Sequence, residues 1–212
     1  MKHIITVLAF FITLGLFAND EKYISQMSKS IDAVYKAQTP EELQSAINTF
    51  DRIANAEKTK WEPYYYSAFG YLMLATRESD GAKKDAYLDK AKEAVDKAAA
   101  ILPNDSEITA MEGFVHMIRL TVDPATRGPQ YSMMAMQTFG KAVAQNPNNP
   151  RALALMAQMQ LGTAQFFKQE PTEACATAKK AAGLFEVEAS TDNKLAPRWG
   201  KGMNEDLMKT CK

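Results

Sequence analysis

The segment Ala91–Pro103 reads AKEAVDKAAAILP, and the segment Ala135–Pro147 reads AMQTFGKAVAQNP. Both place a small residue, a bulky residue, a second small residue and a proline at the same spacing. These repeat-packing positions are Ala91, Val95, Ala98 and Pro103 in the first segment, and Ala135, Phe139, Ala142 and Pro147 in the second. Because residues three and four apart share one helix face, the small residues let helices approach closely and the bulky one fills the gap. The pattern predicts repeated helical units that end at proline.

Most of the remaining chain also has the composition and periodicity of helix. Ala, Lys, Glu, Met and Leu dominate, apolar residues recur three and four apart, and no long Val/Ile/Thr-rich alternation indicates a strand. Thr39 followed by Pro40 and Glu42 predicts a capped helix start. The predicted helices are 20–37, 40–57, 62–77, 84–102, 106–121, 130–146, 150–167, 172–188 and 203–211.

The spacing of these residues resembles that of the tetratricopeptide repeat (TPR) family. Tyr64, Ala68 and Tyr71 match the pattern that the family shows in the first helix of a unit, and Gly113 occupies the small position of the next unit. The resemblance implies an all-α, right-handed superhelical solenoid of about four helical hairpins with a C-terminal capping segment. Small exported bacterial TPR proteins are the members it is most similar to.

The repeat period departs from that family. Val95 and Phe139 are 44 residues apart, whereas TPR units repeat about every 34 residues. We expect the extra residues in loops within each hairpin, at Glu78–Lys84 and Thr121–Gln130, which would form a ledge beside the binding face. A HEAT-like solenoid, whose period is about 40–47 residues, is the structural alternative.

The N-terminus has the layout of a secretory signal peptide. Lys2 precedes the apolar run Ile4–Phe17 and a small residue, Ala18. The run is shorter than the roughly 20 residues that span a bilayer, although an N-terminal anchor is the alternative. The sequence therefore predicts a signal peptide at 1–18, a TPR-like domain at 19–188 and a capping tail at 189–212, in a protein that is periplasmic or secreted.

Two cysteines, Cys175 and Cys211, form the only possible intramolecular pair. Export places them in a compartment that permits disulfides. A bond between them would close a loop of 36 residues and tie the tail to the last repeat. The alternative is two unrelated thiols.

Several functions are disfavoured by what the chain lacks. Its formal net charge is zero, which argues against nucleic-acid binding, since that needs a clustered excess of Lys and Arg. His116 is the only histidine after the predicted signal peptide, and no glycine-rich phosphate loop occurs. We therefore predict no catalytic, metal or cofactor site and no enzymatic activity, with a lytic enzyme as a remote alternative.

The resemblance implies that the first helix of each unit lines a concave groove. Its candidate residues are Tyr65, Phe69, Met73, Phe114, Met117 and Gln158. Apolar grooves containing Met adapt to irregular partners, so the first hypothesis is an adaptor or assembly factor that binds an unidentified protein or peptide. The alternative is a small-molecule or lipid carrier using the same groove. The stripe could also be covered by the protein's own tail, and the sequence leaves this open.

Overall fold

The structure, a computed structural model, describes residues 20–190 and 193–211. The predicted signal peptide lies outside these residues. Within them the chain forms helices and no strands. The helices are α1 (20–36), α2 (Pro40–Ala56), α3 (Glu62–Arg77), α4 (Gly81–Ile101), α5 (Ser106–Leu120), α6 (Pro124–Gln145), α7 (Pro150–Phe166), α8 (Thr172–Glu188) and α9 (Lys201–Met208). In the described ranges, none is long and apolar enough to cross a bilayer.

Consecutive helices pack in pairs, as the sequence predicts for a solenoid. Helix α3 packs on α4, α5 on α6, and α7 on α8. The backbones of the first helices α3, α5 and α7 also approach one another closely in the inner row, whereas in the part described those of the second helices α4, α6 and α8 lie farther apart. The inner row is therefore the concave side of an all-α solenoid.

The repeat-packing residues lie at the contacts between helices. Ala91, Ala98, Ala135, Phe139 and Ala142 are fully buried. The Phe139 ring presses so closely on α5 that a Cβ added at Gly113 would come within 2.4 Å of its edge. The small position in α5 is therefore glycine because the bulky residue of α6 occupies the space of a side chain. Val95 of α4 is also buried. Pro103 and Pro147 follow the ends of α4 and α6.

The extra length of the repeat is helix, so the expectation of projecting loops was wrong. Only residues 78–80 separate α3 from α4, and only 121–123 separate α5 from α6. Asp80 and Asp123 cap the following helices through their carboxylates, and α4 and α6 reach 21 and 22 residues. Pro129, which directly precedes the helix predicted at 130–146, lies within α6 on its exposed side, where water can reach the carbonyl that loses its partner. No loop ledge is present in this described region.

An ion pair holds the added turns of α6 against α4. The Arg127 guanidinium donates to both carboxylate oxygens of Asp85, at 2.7 and 2.8 Å. These hydrogen bonds lower the pKa of Asp85. Such bidentate geometry is more specific than a single contact. It explains why the first turns of α6 remain packed against α4.

The C-terminus caps the last hairpin, and α9 packs on α7 and α8. Cys175 of α8 is bonded to Cys211, as the sequence predicted. Leu207 is buried in the same contact, and the side-chain amide of Asn204 donates to the carbonyl of Ala178 at 3.0 Å. The capping segment is thus fastened by a covalent bond, an apolar contact and a buried hydrogen bond.

Reduction of the disulfide should destabilise the protein. Chain-entropy models give about 3–4 kcal/mol for a loop of this length, so the urea midpoint should fall when reductant is added. A variant with Cys175→Ser and Cys211→Ser should be insensitive to reductant. Two reactive thiols in unfolded, unreduced protein would contradict the bond.

Replacing Gly113 with Ala should lower the free energy of unfolding by about 1–3 kcal/mol, because overpacking against Phe139 forces the ring or the helix to move. Gly140 of α6 is the matched control, since nothing lies within 4 Å of a Cβ there. Gly140→Ala should stabilise the helix by up to about 1 kcal/mol. Equal effects of the two substitutions in chemical denaturation would refute the close contact.

Candidate functional site

The concave side of the solenoid is covered by the chain's own tail segment, residues 193–200. Of the groove candidates, Tyr65, Phe69 and Phe114 are buried, and the structure places Met73, Met117 and Gln158 at partly buried positions. Leu195 and Trp199 of the tail segment pack against the same core. The sequence left open whether this stripe is an open groove or is covered by the tail, and the structure has it covered.

Trp199 makes the central contact of the tail segment. Its indole stacks on the rings of Phe69 and Phe114, with centroid distances of 5.5 Å and interplanar angles of 29° and 23°. The two phenylalanines, here called the aromatic platform, come from neighbouring inner helices, α3 and α5. The indole Nε1–H donates to the Tyr65 hydroxyl at 3.0 Å. The platform thus holds a flat aromatic group whose one polar atom is satisfied.

Side chains of the inner helices also bind the backbone of the tail segment. The Tyr66 hydroxyl donates to the Leu195 carbonyl at 2.8 Å, and the Arg198 amide donates to the Tyr35 hydroxyl at 3.0 Å. The guanidinium of Arg198 also pairs with Asp32 at 2.5 Å and lies over the Tyr35 ring. The surface therefore binds an irregular segment of chain through both its polar groups and its rings.

Arg151 lies beneath the tail segment and is 1% exposed. Its Nε and Nη2 donate to the Glu107 carboxylate at 2.8 and 2.7 Å, and its Nη1 donates to Glu188 at 2.7 Å and to the Pro197 carbonyl at 3.1 Å. Nη2 also donates to Glu188. All five N–H donors of the guanidinium are therefore used, and one side chain joins α7, α5, α8 and the tail.

The buried hydroxyls around this cluster are held in their neutral form. Burial, and then the charge of Glu107, raise the pKa of Tyr65 well above its usual value, while its hydroxyl donates to Glu107 at 3.2 Å. Burial also raises the pKa of Tyr66. Burial alone would lower the pKa of Arg151, but its hydrogen bonds to Glu188 and Glu107 outweigh that effect and raise it. The cluster therefore presents neutral phenols and a permanently charged guanidinium.

His116 does not belong to this surface. It is two residues from Phe114 on α5, a rotation of about 200°, and its ring lies near Tyr131 of α6. Its Nδ1 is buried without a hydrogen-bond partner, and burial lowers its pKa. No group of three or more metal-ligating side chains occurs in the described ranges. His116 is a packed residue between helices.

The sequence-based reasoning missed Arg151 and Trp199. One signal was available for Arg151, because a cation in the first turn of a helix is electrostatically unfavourable and therefore suggests a specific anionic partner. Trp199 carried no such signal, since its contact with Phe69 joins residues 130 positions apart.

The fold is similar to the folds of proteins of known structure. No family profile and no curated protein matches the sequence. The HusA haemophore from Porphyromonas gingivalis is similar over 90% of this chain and 92% of its own, with 27% sequence identity and a TM-score of 0.80. A TPR protein from Thermus thermophilus, TTC0263, is similar over 93% of this chain and 96% of its own, with 15% identity and a TM-score of 0.56. The second likeness concerns the fold alone, which is TPR-like.

Replacing Arg151 with Met should lower the free energy of unfolding by about 3–5 kcal/mol, because it removes the buried cation that joins α7 to the carboxylates of α5 and α8. Arg198→Met is the matched control, because Arg198 lies on the tail segment that Arg151 contacts. Arg198 is more than half exposed, so its loss should cost about 1 kcal/mol or less. Urea denaturation measures both, and equal losses would contradict the central place of Arg151.

Proposed function

We propose that this protein is an exported carrier that binds haem or a related planar tetrapyrrole on its concave side and performs no chemistry of its own. The observation that carries the proposal is the similarity to the HusA haemophore, which extends over nearly all of both chains at 27% identity. A likeness of that extent spans most of the helical scaffold rather than a single hairpin.

The chemistry of the concave side suits such a ligand. Phe69 and Phe114 offer ring faces, Met73 and Met117 lie partly buried on the same two helices, and the buried hydroxyls of Tyr65 and Tyr66 lie beneath the tail segment, where they contact Trp199 and Leu195. Stacked aromatic pairs add about 0.5–1.5 kcal/mol each beyond the area they bury. Because His116 lies on the other side of α5, binding should depend on the macrocycle more than on a histidine–iron bond.

Peptide binding is the second candidate, and one observation favours it. The concave side already holds a non-helical segment of this chain through the Leu195 and Pro197 carbonyls and the Arg198 amide. A partner peptide could use the same donors and acceptors.

Export is part of the proposal. The signal-peptide pattern at 1–18 and the bond between Cys175 and Cys211 both favour an oxidising compartment. Mass spectrometry of protein recovered from cells should find an N-terminus at or near Asn19. Recovery of the intact chain from membranes would contradict this.

Haemin and iron-free protoporphyrin should both bind the chain that starts at Asn19, saturably and with comparable affinity. The change in the Soret absorbance measures porphyrin binding. A synthetic peptide of residues 193–200 tests the second candidate function, peptide binding. Phe166→Ala is a control, because this ring is 80% exposed at the end of α7 and should not affect binding. His116→Leu should bind haemin unchanged.

Failure of both porphyrins to bind would refute the carrier. Loss of haemin binding in His116→Leu, with protoporphyrin binding retained, would instead place the site at that histidine and contradict the concave surface.

A further inference from the structure

We infer that the ligand takes the place of Trp199 on the aromatic platform, so that the tail segment is an internal competitor for the site. This inference rests on the proposed function. The indole is flat, stacks on both Phe69 and Phe114, and leaves these residues only 6% and 5% exposed. A planar macrocycle cannot reach the faces of both rings while the indole covers them.

The polar contacts of the tail segment indicate what the displacing ligand offers. The Leu195 and Pro197 carbonyl oxygens accept from the Tyr66 hydroxyl and from Nη1 of Arg151. When the segment leaves, these two donors face the site. A planar aromatic ligand with oxygen acceptors at its edge reproduces both parts of the tail, the ring and the carbonyls. Tetrapyrroles with carboxylate side chains belong to this class.

Removal of the tail segment leaves the scaffold in place. Arg151 gives up one acceptor, the Pro197 carbonyl, and keeps its hydrogen bonds to Glu107 and Glu188 on α5 and α8. The segment lies between α8 and α9, and the bond between Cys175 and Cys211 ties the end beyond α9 to α8. The segment can therefore swing out as a tethered loop while α9 stays docked. Its lost hydrogen bonds are exchanged for bonds to water, so each costs little.

Competition of this kind lowers the apparent affinity of the ligand. The apparent Kd equals the intrinsic Kd divided by the fraction of molecules whose platform is uncovered. Removal of the indole should raise that fraction. Trp199→Ala should therefore bind protoporphyrin about tenfold more tightly or better, which corresponds to losing at least about 1.4 kcal/mol of competition. The affinity of Trp199→Phe for protoporphyrin should lie between those of the wild type and Trp199→Ala.

A double-mutant cycle locates the contact. In the wild-type chain, Phe114→Leu weakens the tail segment and the ligand together, so the affinity should change little. In the Trp199→Ala chain only the ligand uses Phe114, so the same substitution should weaken binding several-fold. A non-zero coupling between the two positions is the expected result. Phe166→Ala serves as the uncoupled control in both chains.

Limited proteolysis detects the movement directly in the wild-type protein. Trypsin can cut after Lys194 and after Arg198, both within the tail segment. Saturating protoporphyrin should accelerate these two cuts, since the displaced segment is free to enter the protease. The C-terminal fragment, which carries Cys211, stays attached to Cys175 through the disulfide and separates only after reduction. If Trp199→Ala does not fold, this assay on the wild-type protein still tests the displacement of the tail segment.

The outcomes separate the inference from the function on which it rests. Tighter binding by Trp199→Ala with faster cleavage supports the displacement. Porphyrin binding with unchanged or slower cleavage, and no gain in the folded Trp199→Ala variant, overturns the inference and leaves the carrier intact. Absence of porphyrin binding by the wild type and by Trp199→Ala overturns both.

Discussion

The buried guanidinium of Arg151 is the contact at which the structural elements of this protein meet. Two carboxylates and one carbonyl satisfy its five N–H groups, and a buried charge is tolerated only when it is paired in this way. The carboxylates come from α5 and α8, and the carbonyl comes from the tail segment. The tail segment therefore supplies one of the acceptors of a charge that the inner helix α7 brings into the interior, and the two carboxylates supply the rest.

The long second helices have a different origin. Asp80 and Asp123 start α4 and α6 early, and Arg127 holds the added turns on Asp85. The repeat gains its extra residues as helix on the outer row, so the inner row keeps the close spacing that brings Phe69 and Phe114 under one indole.

The carrier and peptide hypotheses use the same atoms. The surface binds the tail segment through stacked rings and through donors that point at carbonyl oxygens, and a planar ligand with oxygen acceptors needs both. Under the carrier proposal, the tail segment indicates which groups the ligand offers and competes with it for the same contacts. An internal occupant also keeps two large aromatic faces out of water when no ligand is bound, and this matters because exposed apolar surface promotes association.

The sequence by itself determined the helices and their pairing into hairpins, because these depend on local periodicity and on caps such as Thr39, and it left Cys175 one possible partner. It did not determine where α6 begins, since Pro129 lies within that helix at an exposed position, where a proline is tolerated. Only the tertiary structure decided that the concave side is covered. Trp199 meets Phe69 and Phe114, and Arg151 meets Glu188, across long stretches of chain. Such contacts follow from the curvature of the whole solenoid, which no local pattern of residues encodes.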